Sequence, residues 1–131
     1  MSVDINDWTT NELKKIIRLL VDKNYKPLND YLLNACLEEE NNIENFLTWL
    51  RDYCNRPEGE RVITYPPDDT YRDGSIINER PQKYCKKAKR EFWGCFDLWV
   101  DGERSDLTLE YEIEYYNDDD IRFYMCDIHV M

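Results

Sequence analysis

The chain has 131 residues, 42% hydrophobic and 34% charged, with a formal net charge of −11 at pH 7. That length fits one domain able to bury a core, and four Trp and ten Tyr argue against disorder. An excess of negative charge repels nucleic acid and anionic membranes and draws basic partners inward.

No run approaches the roughly 18 apolar residues that a membrane-spanning helix needs. Met1 to Thr10 has neither the basic nor the apolar region of a secretory signal. Five cysteines without a C-x-x-C pair fit neither a disulfide framework nor a zinc ribbon. The expected compartment is the reducing cytoplasm, and no cofactor or metal is expected.

In chain order, Thr9 followed by Glu12 reads as a capping box, with Trp8 and Leu13 placed for a hydrophobic staple. Leu13, Ile16, Ile17 and Leu20 then recur at helical spacing, and Asn24 is placed to end the helix as its C′ residue. Pro27 opens a second helix with the stripe Leu28, Tyr31, Leu32, Ala35 and Cys36, fraying at Glu38 to Glu40. Asn41 with Glu44 opens a third, with the stripe Ile43, Phe46, Leu47, Leu50, Tyr53 and Cys54. It ends before Arg56-Pro57, because the residue preceding a proline avoids the helical region.

The periodicity breaks over 56–82, where turn signals at Pro66 to Asp69 and Asp73-Gly74 flank one short candidate strand, Arg61 to Tyr65. Three strands close the chain, near 91–100, 105–116 and 121–130. Asp101-Gly102 and Asn117 to Asp120 are the hairpin turns. Helices over 8–55, an irregular connection over 56–82 and an antiparallel meander over 90–131 make one α+β domain, with the helices packed on the sheet.

The middle strand alternates with little fault. Leu107, Leu109, Tyr111, Ile113 and Tyr115 share one face; Asp106, Thr108, Glu110, Glu112 and Glu114 share the other. Asp118, Asp119 and Asp120 follow at the next turn. Residues 101–131 hold ten acidic and two basic side chains, a segment charge of −8.

Other chemistry finds weaker footing. The Asp118 to Asp120 run lacks the glycine and distal glutamate of a calcium loop and reads as a solvated hairpin tip. Cys126 and His129 lie three apart on a strand, on opposite faces unless a bulge intervenes. The glutamates are spaced for a two-carboxylate hydrolase, which would need a concave, partly apolar pocket to raise one pKa. The basic stretch Lys83 to Arg90 reads as a complement to nearby carboxylates. Like charges side by side on a strand repel, and a cationic partner offsets that repulsion. The expected partner-binding set is therefore Glu110, Glu112, Glu114, Asp118, Asp119 and Asp120, with Trp99 and Tyr116 as aromatic anchors and Trp93 and Tyr124 beside them.

The segments Leu98-Trp99, Arg104-Ser105-Asp106-Leu107-Thr108-Leu109-Glu110 and Asp127-Ile128-His129-Val130 resemble those of small bacterial cytosolic domains. Some of these look like immunity proteins of toxin–immunity loci, contact-dependent growth inhibition included. The resemblance implies a non-enzymatic protein that binds and neutralises a cognate toxin domain. Many such toxins are nucleases, basic because they grip phosphate. Analogy at the level of fold adds a helical N-terminus on a curved sheet, similar to cystatin-like or nuclear-transport-factor-like domains. The alternatives are a small-molecule-binding or enzymatic domain of cystatin-like shape, and an acidic mimic of nucleic acid.

Overall fold

The computed structural model describes residues 3–28, 31, 43–57, 59–73, 75–81 and 86–130. The expected second helix lies almost wholly outside them; the part described is a 3-10 turn at Lys26–Leu28 and the helical residue Tyr31.

Helix α1 spans Ile5–Val21, and its N-cap is Asp4. The Asp4 carboxylate accepts hydrogen bonds from the backbone N–H groups of Asn6 at 2.9 Å and Asp7 at 3.3 Å. The expected box at Thr9 and Glu12 is not used. Thr9 is instead fully buried on the stripe it shares with Leu13, Ile16, Ile17 and Leu20, so burial extends the helix a turn upstream of the local signal. Trp8 packs across to Phe123, with ring centroids 6.4 Å apart, and the Glu12 carboxylate accepts from Lys15 and Tyr31, each at 3.2 Å. Asp4→Ala is expected to cost about 1 kcal/mol, the usual worth of such a cap, read as a lower urea midpoint. Thr9→Ala should lack that capping loss.

At the other end the chain reverses through a paired-bond cap. Asn24 N–H donates to the Leu19 carbonyl at 2.9 Å and Lys23 N–H to Leu20 at 3.3 Å. The left-handed residue is Lys23, φ 57°, one position before the expected Asn24.

Helix α2, Ile43–Cys54, ends ahead of Arg56-Pro57 as its sequence predicts. A two-residue ribbon follows, β1 (Asn55–Arg56) against β2 (Gly59–Glu60). Then come β3 (Ile63–Thr64), a short α3 (Thr70–Asp73) and β4 (Ser75–Glu79). The stretch expected to be irregular is thus largely built. The meander, β5 (Arg90–Val100), β6 (Glu103–Asn117) and β7 (Asp120–Val130), gains two strands on its β5 edge. Strand β3 pairs with the end of β5 at Trp99 and Val100, and β4 with its first half, Phe92 to Phe96. Strand β4 escaped periodicity because it owes its conformation to the ladder with β5.

The β5–β6 hairpin turns at Asp101, φ 53°, and Gly102, φ 80°. Two positive φ values suit the right-handed twist of the flanking strands. Strand β7 carries a bulge, since Glu110 pairs with Asp127 and Tyr111 with Met125, leaving Cys126 unmatched. The side chains of Cys126 and His129 lie outside those described.

The arrangement is α+β, with one face of the antiparallel sheet packed on helices. Leu13, Ile16 and Ile17 of α1, Leu47 and Leu50 of α2, and Phe96, Leu98, Leu109, Tyr111, Ile113 and Met125 of the sheet join one buried cluster. Alternation therefore sends Glu110, Glu112 and Glu114 to the opposite face.

Candidate functional site

On that opposite face Glu91 and Thr108 are buried, while Glu110, Glu112 and Glu114 are half-buried. Strand β6 runs along its middle, and the register fixes each neighbour. Glu110 lies between Cys95 and Asp127, Glu112 between Trp93 and Tyr124, and Glu114 between Glu91 and Arg122. Trp93 is 42% exposed, whereas Trp99 is half-buried with its indole N–H sealed away from any acceptor. Of the two tryptophans, Trp93 is the one whose ring a partner can cover.

The carboxylates are partly balanced from within. Arg80, just beyond β4, pairs with Glu112, their side chains 18% and 28% exposed. Arg104 holds Asp97 through contacts of 2.6 and 2.9 Å, and Thr108 donates to the same carboxylate at 2.9 Å. At the tip, Arg122 meets Asp120 at 3.2 Å and lies 4.3 Å over the Tyr116 ring. Tyr116 donates its hydroxyl to Glu114 at 2.8 Å, so this expected anchor is turned partly inward onto the ladder. Glu110, Glu112 and Glu114 share one face, whereas the Asp118 carboxylate turns to Tyr115 and the Val3 N–H on the helical side. Glu112 and Asp120 each have a cation of this chain beside them.

Nothing local in the sequence marks Arg80. It comes from the stretch expected to be irregular and reaches Glu112 across 32 positions of chain, a pairing created by the β4–β5–β6 register. The pair is half-desolvated, between the small worth of a surface ion pair and the large cost of breaking a buried one. Arg80→Ala is expected to destabilise by about 1–3 kcal/mol, because it leaves Glu112 among like charges. Adding Glu112→Gln should recover part of that loss. A double-mutant cycle in urea checks this, and equal costs for the single and double variants would refute it.

The field of this face registers on its neighbours. The Cys95 thiol is pushed above its ordinary pKa, first by burial and then by Glu110 and Asp97. The Tyr124 hydroxyl is raised by burial and then by Glu114. A thiol held protonated is a poor nucleophile.

At the tip, Asp118 is held below its ordinary 3.8, chiefly by the Tyr115 hydroxyl and then by the Val3 backbone N–H. A depressed carboxyl stabilises the fold fully above its unfolded value, and that contribution is lost as pH falls through the folded one. The window is therefore acidic, below about pH 4. In a carbon-detected titration, Tyr115→Phe should move the Asp118 midpoint up toward 3.8.

A two-carboxylate hydrolase would need a cleft beside the ladder. The hollow bordered by Arg80, Trp93, Glu110 and Glu112 has a volume of about 90 Å³, below the roughly 300 Å³ where ligand pockets begin. Among the described residues no group of three or more His, Cys, Asp or Glu could hold a metal ion, and no helix is long and apolar enough to cross a membrane. In the basic stretch, Arg90 binds the Glu79 carboxylate at 2.7 and 2.8 Å, while Lys83 to Cys85 fall outside the described residues.

These features define an α+β domain with one sheet face under helices and the other lined by carboxylates around an exposed tryptophan. The chain belongs to the family described as Domain of unknown function (DUF7668), whose model matches residues 17–131. No curated protein and no solved structure matches it.

Proposed function

We propose that this chain is a non-enzymatic bacterial immunity protein that binds and neutralises a cognate basic toxin domain through the carboxylate face of its sheet. The observation that carries the reading is that face itself. Glu110, Glu112 and Glu114 stand in a row on the central strand, with Trp93 exposed beside them and Asp118 and Asp119 exposed at the adjoining tip. Arg80 lies beside Glu112 and Arg122 beside Asp120. A partner's Lys and Arg side chains would add contacts along the same row, and Trp93 offers both apolar area and a cation-attracting ring. Charge complementarity of this kind accelerates association and rejects wrong partners.

The partner captured from the native host provides the test. Its association rate should fall steeply as salt rises, since exposed charges are screened beyond about 8 Å at physiological ionic strength. Carbodiimide labelling of Glu110, Glu114, Asp118 and Asp119 should drop in the complex. An acidic partner, or protection confined to α1 and α2, would contradict the proposal.

A further inference from the structure

The helical side of the molecule holds a different kind of site. Where the C-terminal ends of α1 and α2 meet the β1–β2 ribbon and β3, the surface opens into a cleft of about 350 Å³, within the range of small-molecule pockets. Its floor is apolar, made by the buried Leu20, Leu50, Cys54 and Ile63. Its rim carries Lys23, Arg51 and Arg61 against one acid, Glu60.

The side-chain charge of this rim runs against the rest of the chain. Three cations and one anion line the cleft, and the Asp101 carboxylate on the Val62 N–H adds a second anion, which leaves one positive charge in a protein whose net charge is −11. The ends of α1 and α2 bring about half a negative charge each. They offset about that excess, so an anion is held here by direct contacts with the cationic side chains and not by the net charge of the rim.

The cleft is also held in shape before anything enters. Lys23 is fixed by the cap that ends α1, and its ammonium meets Glu60 at 3.1 Å, tying the helix end to the ribbon. Arg61 N–H donates to the Cys54 carbonyl at 2.7 Å, and its guanidinium lies 5.8 Å from the Tyr53 ring centre. Val62 N–H donates to the Asp101 carboxylate at 3.0 Å, and the Val62 carbonyl accepts from Asp101 N–H at 2.9 Å. The lip is thus pinned to the β5–β6 turn. The Cys54 thiol is raised by burial, so it belongs to the floor as a small neutral hydrophobe.

We propose that this cleft binds a small amphipathic carboxylate, its hydrocarbon part on the floor of Leu20, Leu50, Cys54 and Ile63 and its anionic head among Lys23, Arg51 and Arg61. Two other hollows among the described residues lack this combination. The groove between Tyr53, Asp101, Glu103 and Asp106 is polar, with three acids against Arg61 and Arg104 and no apolar floor, and the hollow beside Trp93 is too small. The site lies away from the carboxylate face, so its failure and the failure of the toxin-binding reading are separate results.

The probe is octanoate, with 1-octanol as the uncharged control, added to the full chain and followed by calorimetry and amide chemical shifts. Octanoate is expected to bind once per chain, with a dissociation constant on the order of a millimolar or below. Shifts should centre on Leu20, Cys54 and Arg61 to Ile63. Arg61→Gln should weaken binding roughly tenfold through loss of a charge-assisted contact. Val62→Trp, made at a position 41% exposed on the lip, should block the cleft and abolish binding. Circular dichroism and a thermal melt of each variant without probe establish that the fold is kept. Absence of saturation up to about ten times the expected constant, shifts centred elsewhere, equal binding of octanol, or indifference to Val62→Trp would each overturn the assignment.

Discussion

Replacing Glu110, Glu112 and Glu114 together by lysine is expected to slow association with the captured partner by about 10- to 1,000-fold at low ionic strength. Each substitution changes the local charge by two, and all three lie in one row on β6. Near 1 M salt, where screening acts within roughly 3 Å, wild type and variant should associate at similar rates. Any remaining difference in affinity would then reside in dissociation, as expected for lost short-range contacts. A lysine in place of Glu112 would also face Arg80, so a triple glutamine variant serves as a control that removes charge without adding repulsion. It should fall between the other two. An association rate untouched by the triple lysine change at low salt would sink the proposed interface.

Tyr111→Ala is expected to cost about 3–5 kcal/mol, the range for deleting a large aromatic from a core. Tyr111 is 1% exposed and its ring stacks on Phe123, with centroids 4.8 Å apart and planes 23° from parallel. Phe123 in turn meets Trp8 from α1 and the edge of Tyr31. The substitution therefore removes the centre of an aromatic group that fastens the helical layer to β6 and β7. Gly94 is its cross-strand neighbour on β5 and has no side chain with which to fill the space. Against a total stability of about 5–15 kcal/mol for an ordinary domain, a loss of this size should be plain in a urea titration. Tyr111→Phe keeps the stacked ring and removes the hydroxyl, and should cost about 1 kcal/mol. A cost below about 1.5 kcal/mol for Tyr111→Ala would mean that the ring does not bridge the layers.

Much of this molecule is written locally. Alternation assigned Leu107, Leu109, Tyr111 and Ile113 to the buried face they occupy, because the two-residue period of a strand is independent of what lies beside it. Asp106, beside the irregularity in the β5–β6 ladder, instead accepts from the Tyr53 hydroxyl of α2. The stripe Leu13, Ile16, Ile17 and Leu20 defined the buried side of α1, and Arg56-Pro57 stopped α2 for a steric reason carried by two residues. The Asp101-Gly102 turn was equally legible, since few other pairs accept two positive φ values.

Other features were decided by partners remote in sequence. The capping box at Thr9 and Glu12 was a valid local pattern, but it lost to a core that buries Thr9 and sends Trp8 onto Phe123. Strand β4 has no periodic signature and exists through its ladder with β5. The carboxylate face was visible as a row of acids, yet its balance was not. Arg80 reaches Glu112 only once β4, β5 and β6 have taken their register, while Tyr116 folds its hydroxyl back onto Glu114. The cleft likewise gathers Lys23, Arg51 and Arg61 from three separate stretches. The chain on its own thus determined its elements and the polarity of each face, through periods and turn sterics acting within a few residues. Tertiary structure alone decided which charges meet and where a cavity opens, because Coulombic pairing and packing depend on distance in space.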